Sequence, residues 1–367
     1  MFSSIEFDNF AIHIIDQLKL PNELVYIDIA SIQDAWLAIN RMNIRGAPAL
    51  ASLATLSIAQ KLHNTEYSST DNLLSDVNDA CDYLYTARPT AVNLGVALDQ
   101  VRQAAKTADK QAIIDQAILV WSEDVSRNKR MSDNGANWLI DELEKKGKIE
   151  KGGKISILTV CNTGSLATSG YGTAFGMITR LHELGRLERA YYAATTPYYQ
   201  GTRLTAFEFV QLSIPSCLVC DTAIGSLISS GTVQAVTVGA DRIALNGDTA
   251  NKIGTMQAAL FANAYDIPFT VVAPRASVDR NLQNGQSIPI EQRPAKEAVT
   301  VRGVEVDRNT LASVRLAPKE IGNDPLHTVY NPGFDVTPAR LISAVVLETG
   351  VAVARNNSSD IDVSSLL

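Results

Sequence analysis

A short apolar run at residues 155–159, ISILT, leads into VCNTGSLATSGYGTAFG at 160–176 and then into helical composition over 174–184. The run is β-branched, follows Gly152-Gly153 and shows little polar alternation, which predicts a strand covered on both faces. Such a strand belongs to a parallel sheet, and parallel strands need crossover connections. The rest of the chain supplies them. Strand-like 190–193, 216–220, 235–238 and 269–273 alternate with helical 203–212, 223–229 and 256–265, the βαβ pattern of an α/β domain. A final helix is expected over 339–348, capped by 331–338. Residues 281–325 are expected to form a flap or sheet extension with scattered short strands.

The first 150 residues read differently. Residues 2–10 and 24–29 alternate as strands around a helix or turn at 12–20. Ser31 is placed to cap a helix over 32–42, with Asp34 in its first turn. A tight turn at 43–48 feeds a helix over 49–62, with Pro48 in its first turn. Helices follow at 72–85, 92–106, 110–131 and 136–146, the last two separated by Asp133-Asn134-Gly135. Residues 144–153 are charged and glycine-rich without an apolar period, the best linker candidate. The expected fold class is α/β. Residues 1–147 would form a small, mostly helical N-terminal domain with a short β-rich opening, and 148–367 a larger Rossmann-like domain with a parallel sheet.

The chain carries 32 Lys and Arg against 39 Asp and Glu, a net charge of −7, which argues against a nucleic-acid partner. With 46% hydrophobic and 19% charged residues, a real core is expected and disorder is not. No signal peptide is recognised, and no apolar run reaches the ~20 residues that span a bilayer. A cytoplasmic protein without membrane contact is expected. Of the four cysteines, Cys217 and Cys220 form a C-x-x-C, but no second pair or histidine cluster completes a zinc site. Lying in an apolar run, they are expected to be buried thiols in a reducing compartment.

The glycine spacing after residue 160 fits neither G-x-G-x-x-G nor G-x-x-x-x-G-K-[ST], against a nicotinamide dehydrogenase or P-loop NTPase. Strand, polar loop and helix N-terminus still make an anion pocket. Cys161 stands at the carboxyl end of that strand, where open α/β sheets bind ligands. The loops after 190–193 and 235–238 hold Gln200 and Asp241, and Asn251-Lys252 lies beyond, at an expected helix start. Asp241, in an apolar-flanked turn, is a candidate acid or base with a raised pKa. Arg45 with the amides of Gly46 and Ala47 is a candidate phosphate cradle, or else a carbonyl cap. Arg88, in an X-Pro turn, faces either a ligand or solvent. His13, His63, His182 and His327 all lie outside these loops, which weakens a Cys–His nucleophile. Cys161 therefore reads as a proton donor or acceptor.

The motifs RGAPA (45–49), ARPTAVNL (87–94), CNTGSLATSGYGTA (161–174), PYYQGTRLTA (197–206), VGADRIALNGDTANKIGT (238–255) and NPGFDVTP (331–338) resemble, in order, those of the methylthioribose-1-phosphate isomerase family. The resemblance covers essentially the whole chain. It implies conversion of 5-methylthioribose 1-phosphate to 5-methylthioribulose 1-phosphate, a step of methionine salvage. It puts the catalytic pair at Cys161 and Asp241, and substrate contacts at Arg45, Gly46, Ala47, Arg88, Gln200, Asn251 and Lys252. It implies a sugar-phosphate substrate, no metal or other cofactor, and a homodimer built largely through the sheet domain. Relatives sharing the fold include ribose-1,5-bisphosphate isomerases and the non-catalytic regulatory subunits of the initiation-factor nucleotide exchange factor. There is one departure. The family reads E-T-R-P-Y before the glutamine, where this chain has Ala194-Thr195-Thr196-Pro197-Tyr198. Loss of the charged pair implies a looser loop around Gln200 or a shifted substrate preference.

Overall fold

The computed structural model describes residues 3–89, 91–305, 307, 310–354 and 360–367. Phe2 and Thr90, which fall within stretches discussed above, lie outside the described residues. Three antiparallel strands open the chain, β1 (Ile5–Asp8), β2 (Ala11–Ile15) and β3 (Tyr26–Ile29), in that spatial order. Strand β2 occupies the start of the segment expected as a helix or turn. Its Ile12 and Ile14 are buried on either side of the half-buried His13, the two-residue repeat of a strand.

Five helices follow: α1 (Ile32–Asn40), α2 (Ala47–His63), α3 (Thr70–Tyr85), α4 (Val92–Ala105) and α5 (Lys110–Lys145). The Ser31 side chain accepts the Asp34 amide and caps α1 as expected. Helix α2 is buried nearly all round from Ala49 to Leu62, so it forms the centre of the first core. The expected break at Asp133-Asn134-Gly135 does not occur, and α5 runs unbroken for 36 residues. Gly135 serves close packing instead of a turn, since a Cβ there would lie 2.8 Å from Met177 Sδ. Asn134 donates to the Leu347 carbonyl at 3.0 Å. The first half of α5 packs Ile113, Ile114 and Ala117 with α2 and α4. Its second half packs Met131, Ala136, Leu139 and Leu143 under the sheet.

The remaining elements are β4 (Ile155–Val160), α6 (Ala174–Glu183), β5 (Leu187–Ala193), α7 (Ala206–Gln211), β6 (Ser216–Val219), α8 (Ile224–Ser229), β7 (Ala235–Val238), β8 (Arg242–Ile243), β9 (Thr249–Lys252), α9 (Thr255–Ala264), β10 (Phe269–Val272), α10 (Ala295–Val299), β11 (Thr300–Val304), β12 (Leu311–Arg315), β13 (Phe334–Thr337), β14 (Ala344–Leu347) and β15 (Gly350–Val353). Seven strands form one sheet in the order β15-β14-β10-β7-β4-β5-β6, parallel except for β15 against β14. Strands β13, β9 and β8 form a small antiparallel sheet, and β11 pairs with β12.

Two further expectations fail. The helix over 339–348 is replaced by a 3-10 turn (Ala339–Leu341) and strand β14, fully buried beside β10. A short apolar run has no period that separates buried strand from buried helix. Cys217 and Cys220 are exposed rather than buried, because β6 is the outermost strand and only its last residue, Val219, is covered.

The strand order positions the site. From β4 the chain winds outward through β5 and β6, then resumes on the other side as β7, β10 and β14. The reversal lies between β4 and β7, where Val160 and Val238 are register partners. In open α/β sheets that reversal opens a crevice at the carboxyl ends of the strands. Helix α2 reaches it through Gly46, whose φ is +98 and whose added Cβ would lie 2.2 Å from the Ala167 carbonyl oxygen. Gly46→Ala is therefore expected to destabilise the fold by ~3 kcal/mol, from backbone strain and overpacking together. Thermal unfolding measures this, and an unchanged melting temperature would contradict it.

Candidate active site

Strand β4 ends at Val160, and Cys161 turns the chain with φ +75, a conformation costly for a residue with a side chain. Its amide donates to Thr195 Oγ1 at 3.0 Å, and its carbonyl accepts from Thr205 Oγ1 at 2.8 Å. The loop over 162–173 then closes on itself, the Thr173 amide donating to the Thr163 carbonyl at 2.8 Å. Two buried carboxyl groups take its free amides. Glu208 on α7 accepts from Ser165 at 2.6 Å and from Leu166 at 3.3 Å. Asp124 on α5 accepts from Ser169 at 2.7 Å. Burial pushes the Glu208 carboxyl up to about 8, against the pull of the two amides. Sequence reasoning missed both groups. For Glu208 the available signal was a lone acid inside an apolar helical stretch, AFEFV; Asp124, next to Glu123 in a polar stretch, gave none.

With the loop held, all nine candidate residues line one cavity at the strand reversal: Arg45, Gly46, Ala47, Arg88, Cys161, Gln200, Asp241, Asn251 and Lys252. Ala47 is the first residue of α2, so Gly46 and Ala47 bring an open helix N-terminus to the cavity. Arg88 comes from the turn after α3 and lies 3.5 Å from Glu291 Oε2. Gln200 precedes a π-turn (Gly201–Thr205) that opens α7, where one continuous helix over 203–212 was expected.

Asn251 and Lys252 differ from expectation in lying on β9 rather than at a helix start. The first amides of α9, from Gly254 and Met256, are taken by Asp335 at 2.8 and 3.1 Å. Lys252 Nζ donates to the Gly333 carbonyl at 2.9 Å and lies 4.6 Å from the Phe334 ring centroid. The loop over 194–198 is not loose. The Thr195 amide, Thr196 amide and Thr196 hydroxyl donate to Asp221 at 2.8, 2.7 and 2.6 Å, so one carboxylate supplies the anchor that the missing charged pair was expected to provide.

Cys161 and Asp241 are half-buried in the recess. Burial raises the Asp241 carboxyl above the usual carboxylate range, opposed by Lys252, Arg88 and Arg45. Burial also raises the Cys161 thiol, opposed by Lys252 and reinforced by Asp241. It lowers the Lys252 ammonium in turn. Thiol, carboxyl and cations thus form one electrostatic cluster. Around it, Arg45 Nη1, Asn162 Nδ2 and Gln200 Oε1 are buried without a protein partner. The arrangement offers a proton donor and unpaired hydrogen-bonding groups beside cations in one cavity.

Residues 43–353 match the model of the initiation factor 2 subunit family. The chain belongs to this family, among its methylthioribose-1-phosphate isomerases. The methylthioribose-1-phosphate isomerase of Postia placenta is 49% identical over 391 residues, covering 100% of this chain and 99% of that protein. The crystal structure of 5-methylthioribose 1-phosphate isomerase from Pyrococcus horikoshii superposes with a TM-score of 0.81 at 33% identity, covering 96% of this chain and 93% of that one. Another family member, translation initiation factor eIF-2B subunit delta from A. fulgidus, superposes at 0.77 with 32% identity and 96% of each chain covered.

The carboxyl of this family member has a consequence for stability. A carboxyl with a raised folded pKa favours the fold fully below its unfolded value and loses that favour as pH rises through the folded one. Asp241→Asn removes this titration. The variant is expected to melt above wild type at about pH 8, with the gap closing toward about pH 4. Melting curves across that range test it, and a variant less stable than wild type at the upper end would overturn it.

Proposed function

We propose that this chain converts 5-methylthioribose 1-phosphate to 5-methylthioribulose 1-phosphate, the aldose–ketose step of methionine salvage. The observation that carries this is one cavity lined by an acid, a thiol and four cations, in a chain 49% identical along its length to a methylthioribose-1-phosphate isomerase.

The chemical difficulty is the phosphate on the anomeric carbon. With no free hydroxyl there, the ring cannot open by losing a hydroxyl proton. Asp241, whose protonated form burial favours, gives its proton to the ring oxygen as the C1–O4 bond breaks. Hydride then moves from C2 to C1, and the O2–H electrons close the C2 carbonyl. Cys161 Sγ takes the O2 proton while its own proton passes to the Asp241 carboxylate, which ends as it began. A thiol raised by burial suits this relay better than an enediol route, which needs a thiolate to deprotonate carbon. Arg45, Arg88 and Lys252, with the amides of Gly46 and Ala47, hold the phosphate. Gln200 and Asn251 hold sugar hydroxyls.

Cys161→Ser and Asp241→Asn are each expected to lower kcat by about 100-fold or more. Ketose formation measures this, and full turnover in both variants would sink the catalytic assignment. Run in deuterium oxide, the wild-type assay is expected to give product without deuterium at C1; solvent deuterium there would establish the enediol route.

The same reading includes a cytoplasmic homodimer, with an N-terminal unit over 1–147 and a catalytic unit over 148–367. Among the described residues no helix is long and apolar enough to cross a membrane. Val210 and Leu218, 73% and 44% exposed beside the outermost strand β6, support pairing through the sheet. Light scattering is expected to return about twice the chain mass of 39.6 kDa; a value near the chain mass would refute the dimer.

A further inference from the structure

Arg45 is held in an unusual way. Among the described residues it forms no ion pair, and its Nη1 is buried without a partner. The charges nearest it include two more cations, Arg88 and Arg293. A guanidinium on a flexible stem, repelled by its neighbours, needs something to fix it before it can recognise an anion. The aromatic ring of Tyr198 does so. The guanidinium carbon lies 4.0 Å from the ring centroid, well within the range of a cation–π contact.

The ring is itself secured. Arg203 lies 5.4 Å from the same centroid, and its Nη2 donates to the carbonyls of Gln17 at 2.7 Å and Leu20 at 3.1 Å. Two residues before Tyr198, Thr196 is tied to Asp221. Tyr198 does not line the cavity, so its influence on a bound ligand passes through Arg45.

A ring suits this task better than a carboxylate. A carboxylate would neutralise Arg45 and occupy its N–H groups, competing with the phosphate. An aromatic face attracts the cation through its quadrupole and leaves the in-plane donors free. We propose that Tyr198 is a positioning residue for anion recognition: its ring holds the Arg45 guanidinium so that the free N–H groups meet the substrate phosphate. This rests on the reading of the cavity as a phosphate-ester site.

The test combines steady-state kinetics on methylthioribose 1-phosphate with calorimetric binding of inorganic phosphate, which requires no turnover. Tyr198→Leu is expected to raise KM and the phosphate Kd about tenfold, with kcat changed by no more than about twofold. Tyr198→Phe, which keeps the ring and loses only the hydroxyl, should recover both constants to within about threefold of wild type. In an Arg45→Met background, Tyr198→Leu should weaken phosphate binding no further, a coupling that a general packing role would not produce. Unchanged phosphate affinity in Tyr198→Leu, equal damage from Phe and Leu, or additive losses in the double variant would each overturn the proposal. Should Tyr198→Leu fail to fold, the Phe variant still decides, because an affinity loss of tenfold or more in it excludes the ring as the cause. Weakened phosphate binding in a protein that does not turn over the sugar phosphate would uphold Tyr198 and overturn the substrate assignment instead.

Discussion

The site depends on buried carboxyl groups accepting backbone amides from the loop after β4. A polar loop pressed between a helical layer and a sheet leaves amides that water cannot reach, and each unpaired one costs about 1–3 kcal/mol. Glu208 and Asp124 take three of them. Asp124 has help from Arg127 at 3.6 Å and Asn128 at 3.2 Å. Glu208 is held by the amides of Ser165 and Leu166 alone among the influences on its titration, hence its displacement to about 8. Its approach also requires Gly164, where a Cβ would lie 2.4 Å from Glu208 Oε2. The glycines of this loop answer a packing demand, not only a turning one. A backbone held from beneath in this way can keep Cys161 at φ +75, since strain persists only where surroundings over-determine it.

The same loop joins the two halves of the chain. Ser4 donates to the Thr168 carbonyl at 2.6 Å, and Gln17 to the Leu166 carbonyl at 2.6 Å. Ser52 on α2 meets the Ser169 hydroxyl at 2.7 Å. Gly46 packs on Ala167. These contacts bring Arg45 and Arg88 from the helical half to an edge where the sheet presents Cys161, Asp241 and Lys252. Neither half alone holds Arg45 and Arg88 together with the acid–thiol pair, so the packing of one half against the other assembles the site.

This explains what could be read from the residues and what could not. The strand at 155–160, its glycine loop and the start of α2 follow from local composition, and motif resemblance gathered nine residues that do line one cavity. The errors arose where a remote partner decides. Gly135 looks like a break until Met177 is placed beside it. The run that forms β14 looks like a helix until β10 offers an open edge. Cys217 and Cys220 look buried until β6 proves outermost. The loop before Gln200 looks loose until Asp221, over twenty residues away in the chain, closes on it. Glu208 and Tyr198 act through contacts that no spacing announces.

The charge arrangement links binding to chemistry. In the structure described here, Lys252, Arg88 and Arg45 pull the Asp241 carboxyl toward ionisation while burial pushes it the other way. Those three cations are also the groups assigned to the phosphate. A bound phosphate dianion would offset their field at Asp241 and exclude more water, and both effects favour the protonated acid. Under the proposed chemistry, substrate binding therefore strengthens the hold on the proton that ring opening needs. Lys252 stands at the centre of this exchange, because its ammonium is coupled to Cys161 as well as to Asp241. Neutralising it favours the thiol form of Cys161 by the same electrostatics, so one binding event sets both partners of the relay in the protonation states from which the reaction starts.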